Sequence, residues 1–345
     1  MIIYLGNNLS LHGNTPSSIE TLGKLLGQRY DVRRFSSKRN QISRWLDMMQ
    51  AIVRHQGNIS VVLIDTYSTL GFYYALGAAC VCNFFSIPYM PILRGGNLAG
   101  RLENNPRLSR FVFGGAKLLI APSHYLFSSF KDFGFTNIAY IPNSIEMDIY
   151  PFKHRKLVTP RLLWVRSFHS IYNPIMAIEV VQRLKVYFPD TELCMVGPDK
   201  DGSLLQCKAF VKANGLEANI KFTGVLLKRD WHALSKNYDI FINTTTVDNT
   251  PVSVIESMAL GLPVISTNVG GIPFLITDTE NGLLVPSGDV SAMVDKIKWL
   301  IDNPINAYQI ALQARNDVEK FNWNLVKHTW FSILDGLEFS SNNPN

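Results

Sequence analysis

Short apolar runs alternate along this chain with segments that repeat apolar residues at helical spacing. Residues 1–5 form one such run, and a helix with one apolar face is predicted over 17–28. Residues 59–64 form a continuous apolar run, which is typical of a strand buried on both faces of a parallel sheet. This alternation predicts an α/β protein with parallel, doubly wound sheets.

The longest stretch without a charged residue runs from Thr66 to Leu93. A membrane span is one interpretation of such a stretch. However, Pro88 and Pro91 separate a strand-like segment from the residues before it, so a buried helix followed by a strand is the better prediction. Further strand, helix and strand signals follow at 117–121, 125–133 and 138–141.

Residues 143–160 carry turn-forming and basic residues without periodicity, which indicates an interdomain linker. The strand and helix pattern restarts at Arg161. Predicted strands cover 161–165, 192–196, 220–223, 239–243 and 263–266; predicted helices cover 174–187, 204–214, 290–302, 305–321 and 323–337. We therefore predict an N-terminal domain (1–152), a linker (153–160), a C-terminal domain (161–322), a terminal helix that packs back towards the N-terminal domain (323–338) and a disordered tail (339–345).

Composition agrees with this two-domain globular protein. A chain of 345 residues exceeds the usual size of one core, and it is 47% hydrophobic and 17% charged. Its four cysteines have neither C-x-x-C nor zinc spacing, which favours buried, reduced thiols in a cytoplasmic protein. The first residues, MIIYL, have no basic region before them, so no signal peptide is expected.

The net charge of +6 is confined to the first half. Residues 1–150 contain 14 Lys and Arg against 8 Asp and Glu. The densest basic cluster is Arg29, Arg33, Arg34, Lys38, Arg39 and Arg44. No aromatic-basic module or zinc pattern supports nucleic acid as a partner. An anionic membrane surface is the favoured partner, which would make the protein peripheral on the inner face of a membrane; a basic domain with no such partner is the alternative.

The chemistry is concentrated between Phe241 and Thr267. A strand ends near Asn243, a polar turn follows, and Pro251 suits the first turn of a helix that stops near Gly261. The free N–H groups of that first turn would hold a phosphate or a sugar oxygen. Asp248 lies just before the turn, and Glu256 lies about one and a half turns into the helix.

The spacing Asp248-x7-Glu256, followed by Ala259-x-Gly261-x-Pro263, resembles the signature of the family 4 retaining glycosyltransferases (glycosyl transferases group 1). The resemblance implies the GT-B fold, in which two Rossmann-like domains face each other across a cleft that holds the active site. It also implies a nucleoside-diphosphate sugar as co-substrate, retention at the anomeric carbon, no metal and no further cofactor. Asp248 replaces the usual Glu and would touch the donor sugar, whereas Glu256 would touch the ribose.

Other segments are similar to the same family. Arg166, after an apolar strand, matches an arginine that binds the diphosphate, but the lysine expected five residues later is Ile171. His169 or Arg94 could replace that cation. Arg94, Gly95 and Gly96 stand in place of a His-Gly-Gly turn. The resemblance assigns Asp248, Arg166 and Arg94 as catalytic residues, and Glu256, Asn249, Thr250, Pro251, Val252, Ser253, Gly13, Gly95, Gly96, Gly197, Gly224 and Val225 as donor-binding residues.

Several of these residues also have a structural interpretation. Gly13, Gly95 and Gly96 are as consistent with ordinary turns as with close approach to a ligand. Asp199-x-Asp201 is similar to a metal-binding D-x-D pair, but its position after a strand favours a solvated loop. As residues that line a cleft, Asp248 and Glu256 are expected to be dispensable for folding.

The sequence thus predicts a retaining hexosyltransferase that moves a sugar from a nucleoside-diphosphate donor to a glycan or lipid-linked acceptor, in surface polysaccharide synthesis. The departures at Asp248, Ile171 and Arg94 leave two alternatives open. One is a non-catalytic homologue that binds a nucleotide sugar or a protein partner. The other is a sugar-nucleotide epimerase of the same fold.

Overall fold

The computed structural model describes residues 1–12 and 17–341 and consists of two compact units. Unit 1 contains the described residues of 1–144 and the last helix from Asn324 onward; unit 2 is Ile145–Trp323. Each unit has one parallel six-stranded sheet. Gly13, one of the predicted donor-binding residues, lies outside the described residues.

In unit 1 the sheet has the strand order β2-β1-β3-β4-β5-β6. The elements are β1 Ile2–Leu5, α1 Ser18–Leu26, β2 Val32–Phe35, α2 Gln41–His55, β3 Val61–Thr66, α3 Phe72–Phe84, β4 Tyr89–Leu93, α4 Leu98–Asn104, α5 Pro106–Gly114, β5 Leu119–Ala121, α6 His124–Asp132 and β6 Ile138–Tyr140. The charge-free stretch forms the helix α3 and the strand β4, as predicted, but α3 is buried on one side only, because Tyr73, Cys80 and Phe84 are exposed. None of the described helices is long and apolar enough to cross a membrane.

In unit 2 the strand order is β12-β11-β10-β7-β8-β9. The elements are β7 Arg161–Val165, α7 Pro174–Leu184, β8 Glu192–Val196, α8 Ser203–Ala213, β9 Ile220–Gly224, α9 Lys228–Leu234, β10 Ile240–Asn243, α10 Val252–Ala259, β11 Val264–Thr267, β12 Leu283–Val285, α11 Val290–Asp302 and α12 Pro304–Val318. The last helix of the chain, α13, spans Trp323–Ser341.

The strand order of unit 2 determines where a ligand would bind. Numbered within the unit, its strands run 6-5-4-1-2-3, which is the order of a dinucleotide-binding Rossmann sheet. The order reverses between the neighbouring strands β7 and β10. In open parallel sheets, ligands bind beyond the carboxyl ends of the strands at this reversal point. Arg166 follows β7 and Asp248 follows β10, so both lie at the carboxyl edge beside the reversal.

The predicted linker at 153–160 is wrong, because this segment is folded into unit 2. The Arg155 guanidinium is buried and donates hydrogen bonds to the carbonyl oxygens of Tyr238 (2.9 Å), Ser235 (3.0 Å) and Gly261 (2.7 Å). Burial lowers the pKa of Arg155 to about 10, although nearby Asp239 acts in the opposite direction. The segment lacks helical or strand periodicity because separate contacts anchor it, namely the Arg155 guanidinium, the buried Val158 and the Thr159 hydroxyl bonded to Asp239, rather than a repeating apolar face.

The helix α13 belongs to unit 1 from Asn324 onward. Asp335 accepts hydrogen bonds from Arg29 (2.7 Å) and from the Tyr30 hydroxyl (2.6 Å), and Phe331 packs edge-on against Tyr30. The helix continues to Ser341, so the part of the predicted tail at 339–341 is helical rather than disordered. Residues 342–345 lie outside the described residues.

Two predictions about single side chains are also corrected. Cys80 is exposed, whereas the other three cysteines are buried and all four are free. Arg44, assigned to the basic cluster, is buried; its guanidinium donates to the Lys38 carbonyl, the Arg39 carbonyl and Asn7 Oδ1, each at 2.9 Å. Arg44 therefore holds the loop that precedes α2.

Candidate active site

Arg166 and Asp248 form an ion pair at the carboxyl edge of the unit 2 sheet. The pair joins Nη2 of Arg166 to Oδ2 of Asp248, and both side chains are largely buried. The Arg166 guanidinium also stacks on the Tyr172 ring, with 4.3 Å between its Cζ atom and the ring centroid. The structure thus brings together two residues that the sequence separates by 82 positions, at the place where this sheet type binds ligands.

The environment of Arg166 favours an anionic ligand. Burial lowers its pKa, and the neighbouring Tyr172 partly opposes that effect. Its Nε atom is buried and has no hydrogen-bond partner among the described residues. A buried donor without an acceptor is costly, so an incoming anionic oxygen would satisfy both the charge and the N–H group.

The loop between β10 and α10 is held by close backbone packing. The Asp248 carbonyl accepts a hydrogen bond from the Gly271 N–H (3.0 Å), and Asp248 Oδ1 accepts one from the Asn249 N–H (2.9 Å). A Cβ atom on Gly271 would lie 1.8 Å from the Asn249 carbonyl oxygen. Only glycine allows this approach, which fixes the loop that carries Asp248.

Helix α10 begins directly after Pro251, as the sequence predicts within one residue. Val252 and Ser253 lie in its first turn, where backbone N–H groups lack partners within the helix. The Ser253 Oγ atom is enclosed and has no hydrogen-bond partner among the described residues. The first turn therefore presents an unsatisfied hydroxyl together with the positive end of the helix dipole.

Glu256 is buried, with 4% of its surface exposed. Its Oε1 atom accepts a hydrogen bond from the Tyr150 hydroxyl (2.7 Å) and contacts Lys228 Nζ (2.7 Å). Burial, and then the charge of Glu256, raise the pKa of Tyr150 far above its ordinary value, so the hydroxyl keeps its proton. The burial of Glu256 and its two partners argue against the expectation that this residue is dispensable for folding.

Gly197 and Gly224 lie at the ends of the neighbouring strands β8 and β9. The Gly197 N–H donates to the Gly224 carbonyl (2.9 Å). Gly197 has φ +149°, and a Cβ atom there would lie 1.8 Å from the Arg166 carbonyl oxygen. This glycine is therefore required to pack the strand end that carries Arg166. Val225 follows Gly224 with an exposed side chain.

The loop after β7 carries Ile171 and His169. Ile171 is exposed. His169 Nδ1 lies 3.7 Å from Asp201 Oδ2, which also accepts the Ser170 N–H (2.8 Å). Hydrogen bonds from Ser203 and Ser170 lower the pKa of Asp201 well below its ordinary range. Asp201 thus ties two loops together, and the described residues contain no cluster of three metal-binding side chains.

In unit 1, Arg94 belongs to a buried polar cluster. Its Nε donates to Asp65 Oδ1 (2.9 Å), its Nη2 to the Tyr4 hydroxyl (3.3 Å) and its Nη1 to Asn143 Oδ1. Burial alone would lower the pKa of Arg94, but Asp65 and Tyr4 raise it instead. Because Asp65 is fully buried and already balances this charge, the interpretation of Arg94 as a spare cation for a diphosphate is not supported.

Gly95 and Gly96 follow Arg94 in the turn before α4. The Gly95 N–H donates to the Thr66 carbonyl (3.2 Å), and a Cβ atom on Gly95 would lie 2.5 Å from the Ser68 backbone nitrogen. Close backbone packing explains Gly95 without a ligand.

Comparison with known proteins is consistent with this geometry. Residues 147–317, about half of the chain and nearly all of unit 2, match the family described as Glycosyl transferases group 1. The chain belongs to the group 1 glycosyl transferases. It is 29% identical over 187 residues to a trehalose synthase of Pyrococcus horikoshii and 31% identical over 139 residues to the amylovoran biosynthesis glycosyltransferase AmsK of Erwinia amylovora.

Those matches cover 52% and 38% of this chain, and they span 44% and 34% of the two relatives. The crystal structure of Anabaena HepE in complex with UDP-glucose aligns with a TM-score of 0.76 over 97% of this group 1 chain and 99% of that chain, at 16% identity. The two Rossmann-like units are those of the GT-B glycosyltransferase fold, as predicted.

Sequence reasoning missed three residues that shape the site and one that balances a predicted site residue. Tyr150 and Lys228 hold Glu256, Gly271 fixes the loop of Asp248, and Asp65 balances Arg94. The Gly270-Gly271 pair just after β11 was a usable signal, since paired glycines beyond a strand mark close backbone approach. Tyr150, Lys228 and Asp65 carry no such signal, because each acquires its partner only through the fold.

Proposed function

We propose that this group 1 glycosyl transferase moves a hexose-type sugar from a nucleoside-diphosphate donor to a glycan or lipid-linked acceptor, with retention at the anomeric carbon. The observation that carries the proposal is the Arg166–Asp248 pair beside the first turn of α10. Arg166 Nε and Ser253 Oγ, both buried without a partner among the described residues, offer hydrogen bonds to a diphosphate there.

The donor would lie along the carboxyl edge of the unit 2 sheet. Arg166 and the N–H groups of Val252 and Ser253 would hold the diphosphate, Asp248 would accept from the sugar hydroxyls, and Glu256 would accept from the ribose. Asn249, Thr250 and Pro251 shape the turn, and Gly197, Gly224 and Val225 border the base. A uracil nucleotide is supported by Anabaena HepE, whose structure contains UDP-glucose.

The reaction would be driven by electrostatics and positioning. As the bond between the anomeric carbon and the diphosphate breaks, negative charge grows on the leaving oxygen, and Arg166 and the α10 dipole stabilise it. The leaving diphosphate and Asp248 then compete for the same guanidinium. The acceptor hydroxyl would attack the anomeric carbon from the face that the diphosphate leaves, and its proton would pass to the departing diphosphate oxygen.

A role in surface polysaccharide synthesis is supported by the similarity to a glycosyltransferase of amylovoran biosynthesis. Unit 1 also has features that suit an anionic membrane surface. Arg33, Arg34, Lys38 and Arg39 are exposed on β2 and the loop after it, and α2 exposes Ile42 and Leu46. Apolar residues beside cations favour binding at the interface of an anionic bilayer, here the cytoplasmic face.

A non-catalytic nucleotide-sugar binder is the second candidate. It is favoured by the absence of a cation at Ile171 and by the engagement of Arg166 with Asp248. Thermal shift with a panel of nucleotide sugars, followed by detection of free nucleoside diphosphate and glycosylated acceptor, separates the two. A selective shift with turnover supports the enzyme, a shift without turnover supports the binder, and no shift with any nucleotide sugar contradicts both.

A further inference from the structure

Lys228 contacts Glu256, although no sequence pattern indicates that these two residues meet. It is the first residue of α9, which follows β9, and its Nζ atom lies 2.7 Å from Glu256 Oε1. The Lys228 side chain is 36% exposed, whereas that of Glu256 is 5% exposed. Lys228 therefore stands on the solvent side of the buried carboxylate, where a ligand would approach.

Tyr150, which also donates to Glu256 Oε1, is fixed by its surroundings. Tyr150 is buried, its carbonyl accepts from Arg315 (2.7 Å), and its ring packs against His232 with 4.5 Å between centroids. His232 lies four residues after Lys228 and thus on the same face of α9. Because Tyr150 and His232 are buried, the Lys228 ammonium is the partner of Glu256 that can move without disturbing the core.

Lys228 also lies close to the proposed diphosphate site. Ser253 and Glu256 are three residues apart on α10, a spacing that places Cβ atoms about 5–6 Å apart on one helix face. The Lys228 ammonium, which contacts Glu256, therefore lies about one helical turn along α10 from the level of Ser253. Arg166 alone would leave a diphosphate under-neutralised, and Ile171 supplies no charge.

We propose that Lys228 is a phosphate-binding cation of this nucleotide site and reaches the diphosphate from the β9 side of the sheet; the inference rests on the proposed function. Ribose hydroxyls would donate to Glu256 in place of Lys228. The ammonium would then turn to a phosphate oxygen. Asp248 and Glu256 would thus each have a cationic partner, Arg166 and Lys228, that moves from the acid to the phosphates when the donor binds.

The test measures ligand binding by full-length Lys228→Met, Lys228→Arg and Arg229→Met. Arg229 is the matched control, because it is the next residue, is also cationic, and its side chain is 83% exposed. The probes are UDP, GDP, ADP, CDP and dTDP, followed by the parent nucleoside of the tightest one. Titration calorimetry and melting curves are recorded for every variant.

We expect Lys228→Met to weaken the tightest diphosphate about tenfold or more, as for loss of a charged hydrogen bond, and to leave the nucleoside unchanged. Lys228→Arg should retain most of the affinity for the diphosphate, and Arg229→Met should retain all of it. Adding Ile171→Lys to Lys228→Met should restore part of that affinity. Equal losses of affinity for the nucleoside and the diphosphate in Lys228→Met, or no loss for either, would overturn the phosphate contact of Lys228 but not the proposed function. If the wild-type protein binds none of the diphosphates, the proposed function fails as well.

Discussion

Arg166 and Asp248, which follow the neighbouring strands β7 and β10, neutralise each other in a largely buried ion pair. The pair couples two roles that the sequence suggests are separate, namely diphosphate binding and contact with the donor sugar. Any anion that binds Arg166 must compete with Asp248, and any hydroxyl that donates to Asp248 weakens its hold on Arg166. Donor sugar and diphosphate are thereby linked through one pair of side chains.

This coupling predicts the effect of Asp248→Asn. Because the amide carries no charge, Arg166 becomes available to the diphosphate, and nucleoside diphosphate should bind about three- to tenfold more tightly, as expected for a gain of up to about 1.4 kcal/mol. Turnover of the sugar donor should fall, since the charged acceptor for its hydroxyls is lost. Calorimetry and product assays on the same preparation measure both. Weaker binding of the diphosphate would contradict the competition between Asp248 and ligand.

A different outcome is expected for Glu256→Gln. The buried carboxylate accepts from Tyr150 and contacts Lys228, so loss of its charge should cost about 1.5–3 kcal/mol of unfolding free energy. Binding of nucleoside diphosphate and of intact donor should weaken together, because both carry the ribose. Urea denaturation and titration with both ligands measure this. Tyr150→Phe is the companion variant: it should lose stability without losing the charge that Lys228 contacts.

Much of this fold could be predicted from sequence because its signals are local. Strand β8 and helix α11 were predicted with the bounds that the structure has, since each is a continuous apolar run or a strongly periodic segment. Strand β2 was missed because its residues, Val-Arg-Arg-Phe, form an edge strand in which the two arginines are exposed. Helix α9 was missed because it has only seven residues.

The candidate site was predictable only in part, for a similar reason. The Asp248-x7-Glu256 spacing and the helix that begins after Pro251 are local, and the resemblance supplied the rest. The partners of each charge are not local: Asp248 pairs across 82 positions with Arg166, Glu256 with Tyr150 and Lys228, and Arg94 with Asp65. Sheet order brings these residues together, and one sequence does not reveal sheet order.

The pairing of Arg94 with Asp65 predicts a structural role for both. Arg94→Ala would leave the fully buried Asp65 without its counter-charge, and breaking such a pair typically costs about 3–5 kcal/mol. Arg94→Ala with Asp65→Ala should be less destabilising than the sum of the single variants. Arg107→Ala, at an exposed arginine of the same unit, is the control. Loss of diphosphate binding in Arg94→Ala without loss of stability would instead favour a donor contact.

The last prediction concerns the basic surface of unit 1. Arg33, Arg34, Lys38 and Arg39 are exposed, and Ile42 and Leu46 lie close to them along the chain. We expect sedimentation with vesicles that contain anionic lipid, weakened by salt because exposed charges are screened beyond about 10 Å at 0.1 M ionic strength. Each cation near such a surface contributes about 1 kcal/mol, so replacing all four with Gln should remove most binding.

Replacing four exposed lysines of unit 2, Lys208, Lys212, Lys221 and Lys236, should remove little, although the change in net charge is the same. Equal losses for the two sets would show a response to net charge alone, and equal sedimentation with neutral and anionic vesicles would eliminate the membrane surface as a partner.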